Sequence, residues 1–320
     1  MQFSFISIIF EENWMRLPPY NLDRPFFRGN LHGHSNHSDG ALSPQEVIRR
    51  YKDLGYDFAC ISDHLWHDAR FCAQSVLDCS SFDAPNFITI PSAEIHCQGK
   101  TYDNDGLWHF VANGLPLDFS TARKTETAPE LIDRALAAGA YVTIAHPAWY
   151  SMTFDEAMVV GHADGVEIYN HSCAIGAMRG DGTGVADYLL QEGKRISLTA
   201  TDDSHFHIPD SGGGWVMVAA ESLQADKIIT ALKNGCHYSS TGADIINLDL
   251  EGERLEVETS PCSDIVVVGQ GHASLSHHGS KITRATFDLS ALKSDWFRVS
   301  IIDQSNKMAW SNPYWLNDIH

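Results

Sequence analysis

Short apolar runs recur through the first 240 residues, spaced widely enough to leave room for helices between them. Residues 27–31, 58–62, 87–91, 108–112, 141–145, 165–169 and 196–200 read as strands. Helix starts are written between several of them. Ser43-Pro-Gln-Glu46 reads as a capping box with proline at the first helical position. Thr127-Ala-Pro-Glu130 repeats it ahead of a helix over 131–138 that Gly139 stops, and Thr153-Phe-Asp-Glu156 is a third case. Two more helices are predicted over 184–192 and 222–234, ending near Gly193 and Gly235. Strand–helix alternation of this kind predicts an α/β fold with a parallel sheet, open or closed into a barrel.

The pattern changes near residue 242. Residues 248–257 alternate around the turn Glu251-Gly252, and 264–268, 282–288, 296–302 and 308–310 are further short strands with no useful helix pattern among them. The expected division is an N-terminal extension (1–24), a catalytic unit (25–242) and a small antiparallel all-β module (243–320).

Composition narrows the function. The chain has 320 residues, 43% of them hydrophobic, which is enough to build a large core. A net charge of −19 argues against a nucleic-acid partner, which needs a basic footprint. Seven cysteines without framework spacing predict free thiols and a reducing, cytoplasmic setting. No apolar run approaches the ~18 residues of a membrane span. Phe3 to Phe10 is apolar but lacks a basic leader, and Glu11-Glu12 follow, so it is not read as a signal peptide; Met15 is a rival start.

The chemistry is concentrated at strand ends. Asn30-Leu-His32-Gly-His34-Ser-Asn-His37-Ser-Asp39-Gly40 follows the first strand, and alternation points His32 and His34 to the same side. Ile61-Ser-Asp63-His64 closes the second strand, Pro91-Ser-Ala-Glu94 the third, Ala145-His146-Pro147 the fifth and Thr201-Asp202-Asp203-Ser-His205 the seventh, while His109 lies in the fourth. In a β/α barrel such ends converge on one face. Chance would scatter these residues over surfaces and helices.

These motifs, in this order from Leu31 to about Thr241, resemble the PHP (polymerase and histidinol phosphatase) superfamily of metal-dependent phosphoesterases. The resemblance implies a distorted (β/α)7 TIM-like barrel and two or three divalent ions (Zn, Fe or Mn). It implies one site of His32, His34, Glu94 and Asp203, a second of Glu94, His109 and His146, and a third of Asp39, His64 and His205. Many relatives carry histidine where Asp39 stands, and Asp202 competes with Asp203 for its role. The tail Trp310-Ser-Asn-Pro-Tyr-Trp315 resembles that of PHP proteins with an appended β domain.

The expected reaction is hydrolysis of a small phosphorylated molecule by a metal-bridging water, with Asp203, His205 and Glu94 at the catalytic centre. Hydrolysis of a carbamate, ester or amide carbonyl is the alternative, and a metal-binding regulatory module a third reading. Arg123 and Arg179 are candidate phosphate clamps, and His171, Asn170, His67 and His207 further substrate contacts; an ordinary surface role is the competing reading for each. Asp63 is read either as a partner orienting an imidazole or as a turn cap. Gly212-Gly-Gly214 is read as a loop, with a lid hinge as a weaker idea.

Overall fold

The structure is a computed structural model and describes residues 14–67 and 73–319. The apolar stretch from 3 to 10 lies outside them.

The seven predicted strands are present: β1 (Phe26–Asn30), β2 (Phe58–Ile61), β3 (Ile88–Gln98), β4 (Leu107–Asn113), β5 (Tyr141–Ile144), β6 (Gly165–Asn170) and β7 (Ser197–Thr201). Between them run α1 (Pro44–Asp53), α2 (Ala128–Ala137), α3 (Phe154–Val160), α4 (His171–Ala177) and α5 (Thr183–Gln191). The three capping boxes form: Ser43, Thr127 and Thr153 each donate their backbone N–H to the glutamate three residues on, at 2.9, 2.9 and 2.8 Å. β2 and β5 are buried at every position, the mark of strands covered on both faces. No described helix is long and apolar enough to cross a membrane.

The strands lie side by side in chain order, but the sheet is mixed. β1, β2 and the first half of β3 are parallel, as are β5, β6 and β7. β4 runs antiparallel to both β3 and β5. A short loop joins β3 to β4, with no crossover helix to reverse the chain, so the second strand must run back. Of the expected distorted (β/α)7 barrel, the α/β fold with a mixed sheet is present, but among the described residues no ladder closes β7 onto β1. Instead β8 (Trp215–Ala219) adds antiparallel to the outer edge of β1, and after α6 (Ala225–Lys233) β9 (His237–Ser240) adds antiparallel to β8. Neither strand, nor α4, is anticipated by the sequence pattern.

Side chains seal the seam beside β7. Leu198 O accepts from Ser239 Oγ (2.9 Å) and His237 Nε2 (3.2 Å), and Leu198 N donates to Asn312 Oδ1 (2.7 Å). At the C-terminal end of the strands, Gly33 and Ser204 form an isolated bridge that joins the chain after β1 to the chain after β7. A Cβ on Gly33 would lie 2.9 Å from Ser204 Oγ, so the approach depends on glycine there.

The remaining described strands of more than two residues are β10 (Ile245–Glu251), β11 (Arg254–Val268), β12 (Ser274–Asp288), β13 (Trp296–Ile302) and β14 (Met308–Ser311), all antiparallel. Alternate residues of β10 and β11, among them Leu248, Leu250, Leu255 and Val257, build their own core with Phe297, Val299 and Ile301. These strands are continuous with the rest of the sheet: β14 pairs with β9, and Trp296 and Trp310 pack into the core formed with α2 and α5. Arg298, buried on β13, holds Asp187 of α5 with two bonds of 2.8 Å.

Candidate metal centre

The C-terminal ends of the parallel strands bring the motif residues to one face. Asn30, the last residue of β1, donates its side-chain amide to His32 O (2.6 Å) and Tyr51 Oη (2.8 Å), which sets the path of the chain beyond the strand. His32 and His34 follow, both fully buried. Their Nε2 atoms are 3.2 Å apart. Asp203 Oδ1 lies 3.2 Å from the first and 3.0 Å from the second, and Glu94 Oε2 3.3 and 3.4 Å. A tetrahedron whose vertices lie ~2.0–2.1 Å from its centre, as in zinc sites, has edges of about 3.3–3.4 Å. These five separations are close to that edge, so His32 and His34 with either carboxylate have the spacing that one ion needs of three donors.

Glu94 serves two groups. Its Oε2 faces His32, His34 and His64, while its Oε1 lies 2.7 Å from His109 Nδ1 and 3.1 Å from His146 Nε2. Glu94 sits where β3 has left β2 and pairs with β4, directly beside His64 in a short parallel pairing. A third group is more open to solvent. Asp39 Oδ1 is 3.5 Å from His64 Nε2 and 3.4 Å from His205 Nε2, with His34 Nδ1 at 4.0 Å. That Nδ1 is buried with no hydrogen-bond partner, as is His146 Nδ1. Orphaned imidazole nitrogens of this kind fit a centre that takes cations.

Two of these residues occupy strained backbone. Asp203 has φ 52° and His146 φ 25°. Positive φ is uncommon outside glycine and clusters at functional sites. Asp203 is held there by its N–H, which donates to His32 O (2.9 Å). Asp202 points the other way: its carboxylate accepts from the N–H groups of Gly212, Gly213 and Gly214 at 2.7–2.9 Å. The assignment between the two aspartates thus falls to Asp203. The triple glycine is a loop, as read, and is tethered by Asp202, which counts against the weaker idea of a lid hinge.

Burial works against charge throughout, and the groups answer it together. Burial raises the carboxyls of Glu94 and Asp203, but the surrounding histidines hold both below the ordinary range. Burial, with His205 and His64 nearby, pushes His34 down to about 4. Ionised carboxylates and a neutral imidazole are the forms that bind metal ions.

Two residues absent from the sequence reading complete the centre. Glu167, buried in β6, accepts from His32 Nδ1 (2.7 Å), His146 N (2.7 Å), Thr201 Oγ1 (2.7 Å) and Asn170 Nδ2 (2.9 Å). His96, buried in β3, stands opposite His109 across the ladder. Its sequence signal was its place two residues after Glu94, on the same face of the strand.

The proposed substrate contacts fare differently. A cavity of about 770 Å³ opens over the centre, lined by Asp39, His64, Trp66, Glu94, His96, Asp103, Asp105, His109, His146, Trp149, Asp203 and His205 among others. None of Arg123, Arg179, His171, Asn170, His67 and His207 lines it. Asn170 is buried, bonding Glu167, Asp203 Oδ2 (3.1 Å) and Cys173 N (2.9 Å), so it positions ligands. His207 Nε2 donates to Asp39 O (2.8 Å), His171 bonds Tyr169 (3.0 Å), His67 bonds Thr121 (3.3 Å) and Arg179 bonds Trp149 O (3.2 Å). Arg123 is exposed and away from the cavity. Asp63 accepts from Ser35 N (2.7 Å), Ser35 Oγ (2.6 Å) and Ser38 Oγ (2.6 Å), so it pins the turn that carries Asp39.

No protein-family model and no curated protein matches the chain. Solved structures do. A two-domain protein of Bacteroides vulgatus, containing a predicted PHP-like metal-dependent phosphoesterase, superposes with a TM-score of 0.51 at 15% identity, over 94% of this chain and 97% of that one. An amidohydrolase from Chromobacterium violaceum, solved with sulfate and no metal, gives 0.40 at 14% identity over 55% and 87%. A candidate metal-dependent phosphoesterase from Bifidobacterium adolescentis gives 0.40 at 14% over 68% and 96%. The last two are too distant to bear on the argument; the first shows that this chain has, over nearly its whole length, the fold of a two-domain PHP-like protein.

Proposed function

We propose that the protein is a metal-dependent hydrolase acting on a small phosphate ester. The observation that carries the reading is the carboxylate of Glu94, with one oxygen among His32, His34 and His64 and the other on His109 and His146. Such a bridging carboxylate suits two cations held side by side. His32, His34, Glu94 and Asp203 would hold the first, Glu94, His109 and His146 the second, and Asp39, His64 and His205 a third. Zinc, iron or manganese suits imidazole-rich sites with carboxylates. Ions held by these residues would supply an activated water and a counter-charge for the phosphate.

The chain's own part is to orient and enclose. Glu167 fixes the His32 ring through Nδ1. Asn170 holds the second oxygen of Asp203. Trp66 and Trp149 narrow the cavity over the centre. His205 lines the cavity beside Asp39.

A second reading has its own support. Among the described residues the cavity lining carries no lysine or arginine, while Asp103 and Asp105 stand at its wall. That suits a carbamate, ester or amide, whose transition state builds less negative charge than a phosphate's. p-Nitrophenyl phosphate, its diester and p-nitrophenyl acetate, tested with Mn²⁺, Zn²⁺ or Fe²⁺, separate the two. Metal-dependent release from a phosphate ester, abolished in Asp203→Ala, is expected. Release from the acetate alone would move the assignment to carbonyl chemistry. Release from none, by protein with two ions bound, would count against a hydrolase.

A further inference from the structure

His96 has no ligand role in the sites above, yet it is buried beside them and both its nitrogens are engaged. Nδ1 is 3.1 Å from Trp108 O, and Nε2 is 2.9 Å from His64 Nδ1. A backbone carbonyl only accepts, so Nδ1 of His96 carries the proton and Nε2 is left with its lone pair. An acceptor at 2.9 Å then requires His64 Nδ1 to be the donor. The proton of a neutral His64 is thereby fixed on Nδ1, and its lone pair lies on Nε2. That atom faces Asp39 Oδ1 at 3.5 Å, in the outer group with His205.

Glu94 Oε2 is also 2.9 Å from His64 Nδ1 and would favour the same tautomer. That oxygen, however, is shared with His32 and His34 at 3.3 and 3.4 Å, where a cation would draw on its electrons. His96 Nε2 has His64 Nδ1 as its hydrogen-bond partner. Since His64, Glu94, His96 and His109 also stand close enough together to hold an ion, the substitution His96→Gln separates the two roles. Its ring is anchored from β4, since Trp108 precedes the His109 that pairs with it.

We infer that His96 is a positioning residue for the outer cation site: the chain Trp108 C=O, His96, His64 presents the His64 Nε2 lone pair to a divalent ion held with Asp39 and His205. Partners of this kind change metal affinity by about 10–100-fold when removed. The inference rests on the metal-binding part of the function proposed above and is independent of which bond is hydrolysed.

The test is metal binding. Full-length wild type, His96→Ala, His96→Gln and His64→Ala are equilibrated with Zn²⁺ or Co²⁺ in chelator buffers. Bound ions are counted, and the Co²⁺ visible spectrum is recorded. Wild type that binds no ion would sink the metal centre itself before any variant is compared. His96→Ala should weaken the loosest ion by 10–100-fold, as His64→Ala does, with the tighter ions unchanged. Glutamine can donate to Trp108 O and accept from His64, so His96→Gln should recover most of the loss with the wild-type spectrum. It also serves if the alanine variant fails to fold. Unchanged affinity in His96→Ala would overturn the inference. So would His96→Gln losing the ion as fully as alanine, the outcome expected if His96 were itself a ligand.

Discussion

Glu167 holds no candidate ion, yet four donors converge on its two oxygens, and they include His32 and the backbone of His146. Replacing it with glutamine keeps the shape but leaves one acceptor oxygen for four donors, so an NH2 must face either His32 and Thr201 or His146 and Asn170. Glu167→Gln should therefore lower affinity for the innermost ion by about 10–100-fold, read by titration against a competing chelator. If affinity is unchanged, His32 is oriented by packing alone. The residues most easily read in the sequence are those the chain presents just beyond strand ends, where a histidine or acid follows an apolar run: His32, His34, His64, His146, Asp203 and His205. Glu167 and His96 were harder to read because they lie inside strands, where a single polar residue reads as part of the alternation. Substrate contacts could not be read at all, since arginines and loop histidines look alike until the cavity shows which of them face it.

Elements with their own start signals form where the sequence places them, because a capping box is a local device that needs no tertiary partner. β8 and β9 carry no such signal; β8 is a strand because the edge of β1 is there to receive it, and β9 because the edge of β8 is. The antiparallel course of β4 follows from a loop too short for a helix, which apolar patterning cannot register. The α3 cap links element to tertiary structure. Glu156 accepts from Thr153 N (2.8 Å) and from the buried Lys100 (3.0 Å). Burial raises its carboxyl, but these bonds outweigh burial and hold it down at about 2. A folded-state value below the unfolded 4.5 stabilises above pH 4.5, and that stability is lost as pH falls toward 2. Glu156→Gln should flatten the fall in melting temperature over that window. An acid limb as steep as wild type would show that other carboxyls set it.

At the scale of the molecule, the strands beyond residue 242 are fastened to the rest of the chain by a ladder, two tryptophans and one ion pair. Asp187 is partly exposed and Arg298 is not. Asp187→Ala would leave the guanidinium buried without its counter-charge and should cost about 1–3 kcal/mol, below the 3–5 of a fully buried pair. Arg298→Leu, which removes the charge with its cavity filled, should cost less, as chemical denaturation would show. Equal losses would mean that the pair acts through packing.

The ladder between β9 and β14 joins Tyr238–Ser240 to Ala309–Ser311, while Met15–Arg16 pairs with Asp249–Leu250. The sheet therefore gathers residues from both extremes of the described chain. During synthesis β9 emerges some seventy residues before its partner, an unpaired edge of the sort that invites wrong associations. Contacts so distant in sequence make folding slow. Refolding at rising protein concentration should accordingly lose yield to aggregation, and a peptide copying residues 308–311 of β14 with its neighbours should protect that edge in a chain cut short before it.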